Sequence, residues 1–131
     1  MWSTLSSLFG PNDHIPHGLC LLWRPELIAL HVGSDAAIAL AYYSIPFALL
    51  YFVWKRVDLV FPSLFILTGT FILACGTTHV MSIVTLWQPD YRLEGIIKLL
   101  TALVSVTTAV AMWWAMPLAL ALPSTAELQR A

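Results

Sequence analysis

The stretch Phe71-Ile72-Leu73-Ala74-Cys75-Gly76-Thr77-Thr78-His79 lies in the middle of an apolar run over residues 59–87. At ~1.5 Å of rise per residue, a helix over that run outreaches the ~30 Å hydrocarbon core of a bilayer. Two further runs of similar character flank it, over 29–54 and 93–122. The 131-residue chain is 60% hydrophobic and only 10% charged, with a mean hydropathy of +0.83. Soluble domains carry about 25% charged residues. The expected architecture is an all-α membrane protein with three transmembrane helices.

The same numbers exclude other classes. A net charge of −1 gives no electrostatic case for nucleic acid. No Gly-rich phosphate loop and no internal repeat occurs. Two cysteines, Cys20 and Cys75, rule out a disulfide framework. Residues 1–20 carry Pro11, Asp13, His14, Pro16 and His17, and no Lys or Arg precedes an apolar core. That is not the pattern of a signal peptide, so the spans themselves are expected to direct insertion.

Orientation follows from basic residues. Lys55 and Arg56 fall in the short connection after the first span, which the positive-inside rule makes cytoplasmic. The N-terminus and the connection around Gln88–Arg92 are then outside, and the C-terminus inside. Arg24 and Arg92 lean the other way. Three units follow: an extracytoplasmic segment 1–28, the membrane domain 29–122, and 123–131 as the start of a cytoplasmic linker. Pro123 is expected to stop the third span, and Ser124 or Thr125 to cap a new polar helix. The chain reads as the sensor module of a longer protein.

Cys75 and His79 are four residues apart, which puts them on one helical face. Taken singly, a buried cysteine is usually a small apolar filler, and a histidine on an apolar helix a hydrogen-bonded structural group. Together at membrane depth they form a soft pair suited to a soft metal, Cu(I) first. A histidine in hydrocarbon is costly and usually has a job.

Other polar residues lie at similar depth. Asp35 and Lys98 both fall about 8–9 Å below the outer interface by helical rise. Pairing them is the natural way to keep two charges in lipid, with a purely structural ion pair as the plain reading. Tyr42 shares the face of Asp35 at i+7 and comes near the level of Cys75, although it could simply pack beside Tyr43. Pro46 marks a kink, because it removes one rung of the helix ladder. Gly76, Thr77 and Thr78 suit close helix approach. A second histidine–cysteine cluster, His14, His17 and Cys20, has a spacing that permits metal binding, but Pro16 interrupts any regular helix. His31 stands one turn before Asp35 and could hydrogen-bond it.

Asp35-Ala36-Ala37-Ile38-Ala39-Leu40-Ala41-Tyr42-Tyr43-Ser44-Ile45-Pro46, then Cys75-Gly76-Thr77-Thr78-His79, then Lys98-Leu99-Leu100-Thr101-Ala102 together resemble the transmembrane sensor domain of plant ethylene receptors and their bacterial relatives. The resemblance covers roughly residues 29–122. It implies a three-helix, N-out domain that forms homodimers and holds Cu(I) through Cys75 and His79. It further implies that Asp35, Tyr42 and Ile72 are needed for ethylene binding, and it matches Lys98 and Pro46 to the family's lysine and proline. Full-length relatives usually continue into cytoplasmic signalling domains, often a histidine kinase, so a two-component sensor in a bacterial inner membrane is expected. One departure stands out. Plant receptors carry an N-terminal Cys-x-Cys pair that links dimers, and here only Cys20 is present.

Rival readings remain open at this point. A haem-binding electron-transfer bundle could use His79 with His31, or with His79 of the partner subunit. A copper chaperone or transporter would need more soft ligands along a path. A structural anchor would bind nothing. Nothing points to an enzyme, since no nucleophile–base constellation sits in a polar cleft.

Overall fold

The computed structural model describes residues 14–131. The first part of the expected segment 1–28, with Pro11 and Asp13, lies outside the described residues. Among the described residues five helices follow in order: α1 (His17–Cys20), α2 (Pro25–Lys55), α3 (Pro62–Val84), α4 (Tyr91–Leu120) and α5 (Thr125–Arg130). No strand occurs among the described residues. Three helices, α2, α3 and the one beginning at Tyr91, are long and apolar enough to cross a membrane.

Local chemistry sets the helix ends. Pro25 and Pro62 open α2 and α3, where a missing N–H costs nothing. Glu26 in the first turn of α2 and Lys55 in its last turn complement the helix dipole. Asp90 caps α4 by accepting the backbone N–H of Leu93 at 3.3 Å. Ser124 caps α5 in a reciprocal box: its hydroxyl accepts from the Glu127 N–H, and the Glu127 carboxylate accepts from the Ser124 N–H.

The helices differ from the apolar runs by a few residues. The first spanning helix, α2, starts at Pro25 rather than 29, because a proline followed by a glutamate suits the first turn of a helix whatever its hydropathy. The second is shorter than 59–87 at both ends. Leu86 lies beyond its C-terminus yet is buried, because the N-terminal segment covers it. The third span ends at Leu120, three residues ahead of Pro123, and it carries Pro117 within it.

α3 is the central element and packs against both α2 and α4. The distribution of side chains is that of a membrane bundle. Leu40, Phe47, Leu99, Leu103, Val106 and Trp113 face outward. Small residues sit at the helix contacts instead: Ala39 of α2 and Gly69 and Gly76 of α3. In lipid, outward leucines cost nothing and helix association depends on close backbone approach, so small residues belong inside.

The α2–α3 contact is antiparallel. Asp35 meets His79, Ala39 and Tyr42 meet Gly76, and Pro46 meets Gly69. A Cβ placed on Gly76 would lie 3.1 Å from Tyr42 Cβ, tighter than ordinary contact. Pro46 is accommodated inside α2 opposite Gly69, where a Cβ would still clear it at 3.8 Å. Having no N–H, Pro46 leaves the Tyr42 carbonyl without its usual ladder donor.

The N-terminal segment closes one end of the bundle. His17 and Gly18 donate backbone N–H groups to the carbonyls of Thr85 (3.0 Å) and Leu86 (2.9 Å), and Tyr91 donates its hydroxyl to the Ile15 carbonyl at 2.6 Å. Leu22 and Trp23 adopt left-handed backbone angles (φ 52° and 50°), which turn the chain into α2. The same turn lays the Trp23 ring over Gly18, where any Cβ would collide with it.

Candidate metal centre

Asp35 and His79 form the hub of the polar groups inside the bundle. His79 Nδ1 lies 2.7 Å from Asp35 Oδ1 across the α2–α3 interface. Both side chains are largely withdrawn, at 32% and 19% exposure. An ionised carboxylate can only accept, so Nδ1 carries the proton and donates it to Asp35. In a neutral imidazole that arrangement leaves the Nε2 lone pair free, the tautomer a metal-ligating histidine requires. The Tyr42 ring stands edge-on to His79 with centroids 6.1 Å apart, so the imidazole is held on two sides by α2.

Cys75 lies one turn earlier on the same uninterrupted helix and is half-buried. The turn between the two residues is tied to both neighbouring helices. Thr77 donates its hydroxyl to the Leu73 carbonyl (3.0 Å) and accepts from the Tyr43 hydroxyl (2.9 Å). From the other side, the Thr101 hydroxyl of α4 reaches the Ala74 carbonyl at 3.4 Å while bonding its own Ile97 carbonyl at 2.7 Å. Thr78 bonds back to the Cys75 carbonyl at 2.6 Å. Ile72, also half-buried, stands one turn before Cys75.

The donor set fits Cu(I). It offers one thiol sulfur and one unprotonated imidazole nitrogen, both on one helix face, with a carboxylate fixing the ring. Low coordination suits that set. Among the described residues no three of His, Cys, Asp and Glu gather as a group that could hold a metal ion.

Two expectations are corrected. Lys98 is paired with Glu94 at 2.9 Å, an i,i+4 contact on its own helix, and Asp35 is paired with His79. Similar depth brought Asp35 and Lys98 to one cavity, but Glu94 lies one turn from Lys98 and claims it first. His31 lines the same cavity, and the hydrogen bond of Asp35 runs to His79. Of the second cluster, His17 and Cys20 line this cavity as well, while His14 is not among its lining residues. The His14 and His17 rings flank Tyr91 edge-on, at 5.6 and 4.7 Å between centroids.

Tyr43 went unrecognised as more than a neighbour of Tyr42. Its hydroxyl anchors α2 to the turn that joins Cys75 to His79. Its i+8 offset from Asp35, just off the face marked by Asp35, Ala39, Tyr42 and Pro46, carried that signal weakly.

Two openings lie in the same bundle. A cavity of about 450 Å³ at the capped end is lined by Asp35, His31, Cys20, His17, Glu94 and Lys98, among others. A smaller apolar crevice of about 170 Å³ runs along α2 and α3 past Pro46, Gly69 and Leu73.

Residues 26–122 match the family described as Ethylene receptor 1-like, N-terminal domain. No solved structure matches the chain. The match spans all three long helices and the Asp35–His79 hub. The chain therefore belongs to the family of ethylene receptor 1-like N-terminal domains and is an ethylene-sensing membrane domain.

Proposed function

We propose that this domain binds ethylene through a Cu(I) ion held by Cys75 and His79, and passes the event to a cytoplasmic effector of histidine-kinase type. The role is one of binding, with no reaction catalysed by these residues. The observation that carries the reading is the 2.7 Å contact of Asp35 with His79 Nδ1, one turn from Cys75.

Ethylene is small, apolar and uncharged, so hydrogen bonds cannot hold it and its buried area is too little for tight binding. Cu(I), when bound, supplies electron density to the olefin π* orbital. The residues do the rest. Cys75 and His79 are two ligands only, which leaves room for an alkene. Asp35 orients the imidazole and offsets positive charge. Ile72 and Tyr42 wall the site with apolar surface. The crevice past Pro46 and Gly69 gives a gas dissolved in lipid an apolar approach.

The same geometry supports a route for the signal. The Thr101–Ala74 contact couples α4 to the Cys75 turn, and α4 leads through the break at 121–124 into α5. A ligand that favours one packing of α3 against α4 shifts the tail accordingly. In this reading the protein is a homodimer in a bacterial inner membrane, with its N-terminus outside and α5 in the cytoplasm.

The test is Cys75→Ser in detergent-purified and membrane-inserted protein. The variant should insert normally, retain no copper by elemental analysis and bind no labelled ethylene. Wild-type binding by it would end the Cu(I) reading.

A further inference from the structure

We propose that the cavity at the capped end is the loading port for Cu(I), with Cys20, His17 and His31 as its outer, transient ligands and Asp35 as its inner gatepost. The proposal rests on the Cu(I) reading above and concerns how the ion reaches Cys75 and His79.

A metal site buried between helices needs an access route. Hydrocarbon offers none to an ion, so the route must be polar. The described structure provides such a route on the N-terminal side of α2. The cavity of about 450 Å³ is bordered by Cys20 and His17 from the N-terminal segment, His31 and Asp35 from α2, and Glu94 and Lys98 from α4. Its outer ligands are exposed. Asp35 is a wall of this cavity and at the same time the 2.7 Å partner of His79, so one carboxylate touches both compartments.

The chemistry of the lining favours this cargo. A thiol with imidazoles is the soft donor set that selects Cu(I) over the hard cations. Glu94 carries the one cation of the lining, Lys98, at 2.9 Å, which leaves the carboxylate of Asp35 to attract a positive ion inward.

The N-terminal segment is built to hold these groups at the mouth. Its two backbone bonds to Thr85 and Leu86, the Tyr91 bond to Ile15 and the Trp23 ring seated on Gly18 fix the α1 turn over the cavity. Transfer is ligand exchange without change of oxidation state. Cys20 releases its thiol proton to water on taking the ion and regains one on giving it up, and Cys75 releases its own proton on receiving it.

The experiment loads copper-free protein in lipid nanodiscs from a coloured Cu(I)–bicinchoninate complex and follows the loss of colour. Cys20→Ser and, on the opposite wall, His31→Gln should each slow loading about tenfold while final copper content and saturating ethylene binding stay at wild-type level. His31→Gln leaves the docked N-terminal segment untouched, so it reports on the port even if Cys20→Ser disturbs that segment. Wild-type loading rates in both variants overturn the port and leave the Cu(I) reading standing. A lowered final copper content in His31→Gln also overturns it, by making His31 a resident ligand. Copper retained by Cys75→Ser instead defeats the reading itself, independently of any rate.

Discussion

Asp35 on α2 and His79 on α3 are joined at 2.7 Å, and this contact sets both the tautomer of the histidine and the register of the two helices. A neutral amide oxygen at position 35 would accept the Nδ1 proton more weakly than the carboxylate does. Asp35→Asn should therefore lower copper affinity by about 10- to 100-fold, the usual effect of losing a carboxylate behind a metal-bound histidine. Chelator competition for Cu(I) measures it. Unchanged affinity would show that the imidazole is oriented by something else.

Tyr43 makes a weaker contribution of a different kind. Its hydroxyl bond to Thr77 joins two helices in lipid, where such bonds are worth about 0.6 kcal/mol on average. Tyr43→Phe should cost stability of that order and leave copper affinity near wild type, because Thr77 keeps its bond to Leu73. Unfolding in mixed micelles, run beside the copper titration, separates the two effects.

Gly76 and Gly33 provide a matched pair. A Cβ on Gly76 meets Tyr42 Cβ at 3.1 Å, while one on Gly33 meets nothing within 4 Å. Gly76→Val should force α2 and α3 apart and destabilise the bundle by about 1–3 kcal/mol, the range for overpacked contacts. Gly33→Ala should be neutral or stabilising by up to about 1 kcal/mol, from helix propensity alone. Equal effects of the two would mean that the α2–α3 approach is looser than described.

Glu94 and Lys98 should behave as a coupled pair. The Glu94 side chain is 9% exposed and that of Lys98 59%, so removing the lysine strands a buried carboxylate. Lys98→Met should destabilise by about 1–3 kcal/mol, the cost of an unsatisfied buried group. Adding Glu94→Gln should recover part of the loss, since a neutral amide is less costly to bury. A double-mutant cycle reads the coupling directly, and strict additivity would rule the pair out as a unit.

The tail helix α5 should be sensitive to acid. The Ser124 backbone N–H, and then its hydroxyl, hold the Glu127 carboxyl below the usual glutamate range. A carboxyl whose folded value is depressed supports the fold above its ordinary value, and that support is lost as the pH falls through the depressed one. Protection of the α5 amides, read as the exchange rate relative to the intrinsic rate at each pH, should thus fall under acid, and Glu127→Gln should remove that pH dependence. Persisting acid sensitivity in that variant would place its origin elsewhere.

Much of this was legible in the chain itself. Three apolar runs over 29–54, 59–87 and 93–122 determined three spanning helices, because transfer of a segment into lipid depends on its own composition. The i,i+4 spacing alone put Cys75 and His79 on one face, since helical periodicity is a local property. Ser124 as a cap was equally local. The tertiary structure alone decided which polar groups meet. Depth could be counted along each helix, but rotation about its axis could not be read from helices apolar on nearly every side. Small residues, Ala39, Gly69 and Gly76, settle that rotation through backbone contact, and they turn Asp35 to His79 and leave Lys98 to Glu94. The docking of His17 and Gly18 on Thr85 and Leu86 likewise joins groups nearly 70 residues apart. Hydropathy carries no trace of it, because backbone N–H and C=O groups are the same in every residue that has them.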